Sequence, residues 1–242
     1  MKSQRPGLFV TGTDTGVGKT HVGAMIARDL AAAGHRVGVY KPLASGCHLD
    51  GETLISDDAL ALWHAAGRPG MCEAVCPQRF KAPLAPHLAA RAEDQQVDPM
   101  LLRRGLDYWL DRSDIVIVEG AGGLLSPVSD DEYVADLALD FGFPLIVVSA
   151  NRLGTIHQTL ATLVAAATFR DGLDVAGVVL NQPFADPPDE SIATNYDELC
   201  ARCVPPILAR VGWQAAAFDP PVDWYKLATG RITPSPSGRG PG

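Results

Sequence analysis

An apolar run, Leu8-Phe9-Val10, leads into Gly12-Thr13-Asp14-Thr15-Gly16-Val17-Gly18-Lys19-Thr20, and a helical pattern opens at Thr20. A strand that ends in a glycine-rich turn and continues as a helix is the arrangement that binds nucleotide phosphates. Glycines let backbone N–H groups turn toward one anion, and the helix N-terminus adds the positive end of its dipole. Lys19 supplies a mobile cation, and the Thr20 hydroxyl is placed to reach Mg²⁺. The segment departs from G-x-x-x-x-G-K-S/T in one respect: the pattern requires glycine at position 13, which is Thr13, while Gly12 stands one residue too early. It reads as a phosphate loop expanded by one residue, in a chain that handles ATP or a relative.

Such a loop belongs in a layered α/β sheet, and the rest of the chain alternates accordingly. Short, continuously apolar runs occur at Leu8 to Val10, Val37 to Tyr40, Ile115 to Val118, Leu145 to Val148 and Val175 to Leu180. Continuous rather than alternating apolarity marks strands buried on both faces. Helix-like segments fall at Thr20 to Ala33, Asp57 to Ala66, Pro99 to Asp111, Tyr133 to Asp140, Thr155 to Phe169 and Glu190 to Cys203. The expectation is a single doubly wound, mostly parallel sheet with helices on both faces, of the P-loop NTPase type. Ligands of such sheets sit at the carboxyl ends of the strands.

The residues that follow the strand runs are polar and specific. Lys41 follows the second run and would lie near the phosphate loop if the first two strands are neighbours; alone, a solvated lysine at a strand end is an equal reading. Glu119 follows the third run and opens a flexible loop, Gly120-Ala121-Gly122-Gly123, where a P-loop enzyme holds Mg²⁺ through a strand-end acid. Asp58 is a third acidic candidate, although a helix N-terminal residue favoured by the dipole explains it equally well. Two lysines, one threonine and two carboxylates form equipment for phosphoryl transfer, with ATP and Mg²⁺ as the implied co-substrate and cofactor. No H-R-D string is present to make up a protein-kinase set with D-F-G, and the G-x-S-x-G elbow of serine hydrolases is absent from the sequence.

The chain has 242 residues, 47% of them hydrophobic, enough for one sizeable core spanning 1–228. Residues 229–242 are rich in Pro, Gly and Ser and are expected to be a disordered tail. A formal net charge of −8 argues against nucleic acid or an anionic membrane as partner. The N-terminal residues carry no signal-peptide apolar region, so a cytoplasmic location is expected. Cys47, Cys72, Cys76, Cys200 and Cys203 are odd in number and expected to be reduced thiols; neither of their two close pairs, Cys72-x3-Cys76 and Cys200-x2-Cys203, sits in a tight knuckle-like sequence.

The strings T-G-T-D-T-G-V-G-K-T (11–20), Y-K-P-L-A-S-G (40–46), S-D-D-A-L-A-L (56–62), A-P-L-A-P-H (82–87), V-E-G-A-G-G-L-L-S-P (118–127) and N-R-L-G-T-I (151–156) resemble dethiobiotin synthetases in order and spacing. The expanded loop is itself a trait of that family. The resemblance implies ATP-dependent closure of a ureido ring, in which 7,8-diaminopelargonate and CO₂ give dethiobiotin, ADP and phosphate, within biotin synthesis. It implies catalytic roles for Lys41 and Lys19, and magnesium held by Thr20, Asp58 and Glu119. The nucleotide would be bound by Gly16, Val17, Gly18, Lys19, Thr20, His21, Asp58, Glu119, Gly120, Ala121, Gly122, Asn181 and Gln182. The substrate would meet Thr15, Lys41, Ser45, Gly122, Gly123 and Leu124, with His157 reaching it across a homodimer.

Two positions depart from the family pattern. His157 stands where an Asn is expected, and the purine-recognition segment, G-E-I-P-W in the bacterial pattern, reads Ala209-Arg210-Val211-Gly212-Trp213. The competing reading is a partitioning-type P-loop ATPase, an interaction protein that dimerises around ATP. Its signature lysine would stand five residues before Lys19, where this chain has Asp14. Corrin-type amide synthetases share the P-loop domain, but their glutamine-hydrolysing domain does not fit in this length.

Overall fold

A computed structural model describes residues 5–185 and 189–230. In chain order the elements begin with β1 (Gly7–Gly12), α1 (Lys19–Ala32), β2 (Val37–Tyr40), β3 (Leu43–Ala44), β4 (His48–Asp50), β5 (Thr53–Ile55) and α2 (Asp57–Ala65). There follow β6 (Gln78–Arg79), α3 (Pro86–Ala92), α4 (Pro99–Leu110), β7 (Ile115–Glu119), α5 (Val134–Phe141) and β8 (Leu145–Ala150). The described chain closes with α6 (Thr155–Thr168), β9 (Val175–Asn181), α7 (Ile192–Arg202), β10 (Ile207–Val211) and α8 (Trp224–Thr229).

Six strands form one sheet in the order β10-β9-β8-β1-β7-β2, and every neighbouring pair in it is parallel. Every residue of β1, β2, β7 and β8 is buried, which requires helices over both faces of the sheet. Helix α1 packs against β1, β2 and β7, while α6 lies against β8 and α7 against β10. The five strands and six helices read from the sequence are present, with ends shifted by a residue or two. The largest boundary differences, two residues each, are the ends of β1 and β8 and the start of α7, expected from Glu190 and observed from Ile192.

The structure adds a sixth strand, β10, at the sheet edge, together with the parallel pair β3–β6 and the antiparallel hairpin β4–β5. Of these, β10 hides from a search for continuous apolar runs because its pattern, Ile-Leu-Ala-Arg-Val, is only partly buried. Residues 231–242, most of the expected tail, lie outside the described residues, and Thr229 closes α8.

Tyr40, at the end of β2, shows how the helices are seated. Its hydroxyl donates to the Leu102 carbonyl of α4 at 2.7 Å, and Gly105 one turn on gives the ring room: a Cβ there would lie 2.3 Å from the Tyr40 oxygen. At the opposite end of the sheet from the loop, Asp114 accepts the Arg36 N–H at 2.9 Å and pairs with its guanidinium at 2.6 Å.

Candidate active site

In a parallel sheet the carboxyl ends of all strands lie on one side, and three adjacent strands supply the centre of this site. The phosphate loop follows β1, Glu119 ends β7, and Lys41 follows β2. The first two strands are therefore not neighbours, contrary to the condition under which Lys41 was expected near the loop. It arrives there because β7 lies between them and presents Glu119 to both sides. The Lys41 ammonium donates to Glu119 Oε1 at 2.6 Å and pairs with Asp58 Oδ2 at 2.7 Å, and the Thr20 hydroxyl donates to the same Glu119 oxygen at 2.8 Å.

These groups are held away from water, and that sets their charge. Glu119 is fully buried and Lys41 is 3% exposed, its own N–H fixed on the Val75 carbonyl at 2.7 Å. Burial alone would lower the Lys41 pKa, but the Glu119 and Asp58 carboxylates outweigh it and hold the pKa above its ordinary value. Burial would raise Asp58, and the adjacent Lys41 reverses that shift. Lys19 is lowered, by its own burial first and by Lys41 as a like charge, with Glu119 pulling the other way. The helix N-terminal position does not keep Asp58 from the site: Ser56 caps α2 by accepting the Ala59 N–H, Asp58 sits in the first turn, and its carboxylate reaches Lys41.

In the loop, Gly16 and Gly18 take positive φ of 74° and 90°, which turns their amides inward. The Lys19 ammonium donates to the Asp14 carbonyl at 3.0 Å. The residue in the misfit position is anchored: Thr13 donates its N–H to the Val148 carbonyl at 3.0 Å, and its hydroxyl lies 3.5 Å from Ser149 Oγ. Ser149 in turn meets the buried Thr155 and Thr159 hydroxyls at 2.7 and 2.8 Å.

The cleft above these residues has a volume of about 1120 Å³. Of the expected residues, Thr15, Gly16, Gly18, Lys19, Thr20, His21, Lys41, Ser45, Asp58, Glu119, Ala121, Gly122, Asn181 and Gln182 line it. Five others do not. Val17 is buried and offers its carbonyl to Asn181 Nδ2 at 2.8 Å. Gly120 packs against Val134 and Phe9, and the Gly123 N–H donates to Ser126 Oγ at 2.8 Å. Leu124 belongs to the core, and His157 is exposed on α6.

Other lining residues carried no assignment from the sequence: Ala44, the Pro83-Leu84-Ala85-Pro86 wall, Ser126, Pro183, Phe184 and Gln214; Trp213, which ends the expected purine-recognition segment, lines it too. The A-P-L-A-P-H string was a signal for the wall, since consecutive small and apolar residues with two prolines form a rigid surface.

The donor set fits a hard cation. Thr20 Oγ1 and the Glu119 and Asp58 carboxylates are all oxygen ligands, and Glu119 Oε2 is buried without a partner. Two carboxylates and a hydroxyl make a partial shell, the kind that Mg²⁺ completes with water and substrate phosphates.

Residues 6–220 match the family described as an AAA domain. The chain is 46% identical over 215 residues to the ATP-dependent dethiobiotin synthetase BioD of Rhodopirellula baltica, covering 84% of this chain and 82% of that protein. It is 42% identical over 208 residues to the synthetase of Anaeromyxobacter dehalogenans strain 2CP-C, with 86% and 90% covered, and 37% identical over 210 residues to that of Bacillus subtilis, with 84% and 85% covered. The chain belongs to the dethiobiotin synthetase family.

The dethiobiotin synthetase chain shares its fold with P-loop ATPases of other function. A ParA family ATPase from Chlorobium tepidum superposes with a TM-score of 0.53 at 16% identity, over 87% of this chain and 84% of that one. A putative plasmid partition protein from Borrelia burgdorferi gives 0.53 at 12% identity, over 93% and 95%. That likeness is one of fold alone, so the partitioning-type reading is not favoured.

Proposed function

We propose that the cleft closes the ureido ring of dethiobiotin with the residue roles that follow. An ATP-dependent dethiobiotin synthetase is a ligase of biotin biosynthesis; its substrates are 7,8-diaminopelargonate, CO₂ and ATP. One amine of the diamine adds to CO₂ and loses a proton, giving a carbamate. A carbamate oxygen takes the γ-phosphoryl group and ADP leaves. The second amine then attacks the carbamoyl carbon, loses a proton, and expels phosphate as the ring closes.

Lys41 meets the charge on the carbamate and the γ-phosphoryl group, and Lys19 spans the phosphates. The inward amides around Gly16 and Gly18 bind the phosphate oxygens. Thr20, Asp58 and Glu119 would hold Mg²⁺, which would supply positive charge to offset that of the triphosphate. Thr15 and Ser45 contact the diamine or its carbamate, and Pro83 and Leu84 pack against its alkyl chain. Asn181 offers its carbonyl oxygen to the base: its Nδ2 is committed to Val17, and Oδ1 is buried without a partner.

The observation that carries the reading is the Lys41 ammonium held between two carboxylates beside the loop, at 2.6 and 2.7 Å. The test is the mass of the product and the release of ADP with and without diamine and bicarbonate. Dethiobiotin formed only with both supports the reading, and ADP release indifferent to the diamine overturns it.

We also infer a homodimer. Leu153 and Val164, before and on α6, are 79% and 61% exposed, and the exposed His157 lies between them in sequence. A partner covering this face would bring His157 toward the substrate tail.

A further inference from the structure

Thr13, which stands where the pattern of the phosphate loop requires glycine, reaches a buried group of hydroxyls beneath that loop. The register of β1 on β8 sets Thr11 level with Val147 and Gly12 level with Val148, so Thr13 comes level with Ser149. Side chains two residues apart on a strand share a face, and Val147 packs there against Leu163 of α6. Thr11, Thr13 and Ser149 therefore form a stripe of hydroxyls on the face that α6 covers. Ser149 has no exposed surface, and neither do Thr155 and Thr159, which lie one turn apart on α6.

A hydroxyl donates one hydrogen bond and accepts two, and Ser149 uses that capacity to join two elements. Thr159 donates to Ser149 Oγ at 2.8 Å, and Thr155 Oγ1 lies 2.7 Å from it with either oxygen donating. Thr13 Oγ1 takes the remaining place at 3.5 Å. That contact is long, and the Thr13 backbone reinforces it, its N–H on the carbonyl of neighbouring Val148 at 3.0 Å. The next loop residue turns back on the loop itself, the Asp14 carboxylate accepting the Thr15 N–H at 2.7 Å. Helix α6 is placed by the same Ser149 oxygen: Gly154, at its N-cap, has no side chain to cap it, and Thr155 and Thr159 fix its first two turns to β8. An extra residue lengthens the phosphate loop and raises the entropic cost of fixing it around an anion, which an anchor at Thr13 offsets.

We propose that Ser149 is a positioning residue for phosphoryl transfer, its hydroxyl holding the expanded phosphate loop, through Thr13, against the first turns of α6. It lies beneath the loop and acts on the substrate only through it. The inference rests on the loop being the triphosphate site of the proposed ligase. Because the contact acts on the loop and not on the base, it bears equally on every ligand gripped by its phosphates.

The test is a double-mutant cycle on Thr13→Val and Ser149→Ala, read as the dissociation constants of ATP and of inorganic tripolyphosphate. Ser149→Ala is expected to weaken both ligands by the same factor, roughly 3- to 10-fold, the worth of one neutral hydrogen bond. Thr13→Val should weaken them too, and the double variant no further than Ser149→Ala alone. Ser149→Ala also leaves the Thr155 and Thr159 hydroxyls buried without their partner, so Ser149→Ala/Thr155→Val/Thr159→Val is measured beside it. Its urea midpoint should recover toward wild type while tripolyphosphate binding stays weak. Thr11→Val removes from the same face a buried hydroxyl that has no partner among the described residues, and is expected to leave both constants within about twofold. Unchanged affinities in Ser149→Ala overturn the proposal, and so do losses that multiply in the double variant, since the two hydroxyls would then act independently. Recovery of binding in the triple variant overturns it as well, because the loss would have been one of stability, and so does an equal loss in Thr11→Val. Wild-type dethiobiotin formation is measured in parallel; its failure would remove the ligase reading and leave the binding comparison intact.

Discussion

On the proposed mechanism, truncating Lys41 removes a reacting charge as well as the cation that pairs with two carboxylates, so rate and stability have to be read separately. Losing one well-placed charge stabiliser costs a rate factor of about 10²–10³. Leaving the fully buried Glu119 without its partner costs stability as well, about 3–5 kcal/mol for a broken buried pair. Lys41→Ala is therefore expected to lower both kcat and the unfolding midpoint in urea, and Lys41→Ala/Glu119→Gln is expected to recover stability but not turnover. Near-normal kcat in Lys41→Ala would remove the lysine from the chemistry. Lys19→Ala should instead raise the ATP dissociation constant as well as lower the rate. Lys19, Thr20 and Glu119 were legible in the sequence because each stands at a strand end or helix start where its type has a known use. Asp58 was legible only as one of two equal readings, because its local sequence fits a helix N-terminus just as well, and the family resemblance chose between them. The Asn181 amide on Val17, which makes Gly18 obligatory by placing Nδ2 2.1 Å from any Cβ there, joins residues 164 apart and leaves no local trace.

Helix α4 and strand β2 meet at Gly105 and Tyr40, and there the usual rule for glycine in helices reverses. Gly→Ala in a helix interior normally gains about 0.5–1 kcal/mol. At position 105 the new Cβ would lie 2.3 Å from the Tyr40 oxygen, so Gly105→Ala is expected to destabilise by about 1–3 kcal/mol, read from the urea midpoint. The connections entering β2 and β7 are tied by Arg36 and Asp114, and Arg36 holds the Asp114 pKa down at about 2 against an ordinary 3.8. A carboxyl depressed in the folded state stabilises above its unfolded pKa and loses that contribution as pH falls through the folded value. The melting temperature gap between wild type and Asp114→Asn should be open at pH 5 and close as pH drops through about 4 to 2. A gap that widens with acid would contradict the pairing. At this scale the central strands were legible because burial on both faces leaves an unbroken apolar run in each, with Thr11, Glu119, Ser149 and Asn181 confined to their carboxyl ends. The edge strand β10 and the small pairs β3–β6 and β4–β5 were not, because short or half-exposed strands carry no such run.

For the molecule as a whole, the proposed reading puts phosphate recognition and base recognition at different places along one cleft. On that reading the loop amides and Lys19 would not touch the base, and Asn181 would offer it one acceptor. Turnover at saturating diamine with ATP, GTP and CTP is therefore expected to favour ATP by less than about a thousandfold, since one hydrogen-bonded contact discriminates by roughly 10–100-fold. A larger preference would require further polar contacts to adenine. The strand order has a different consequence, for how the molecule comes to exist. Strand β1 carries the phosphate loop and is the first of the sheet's strands in the chain, yet its two neighbours are β7 and β8, at 115–119 and 145–150. Pairings this distant in sequence close late and slow the search for the native arrangement. A nascent chain that has exposed the complete glycine loop still lacks both strands that hold it in place, so nucleotide-dependent protection from protease should appear on the ribosome only after most of the chain has emerged.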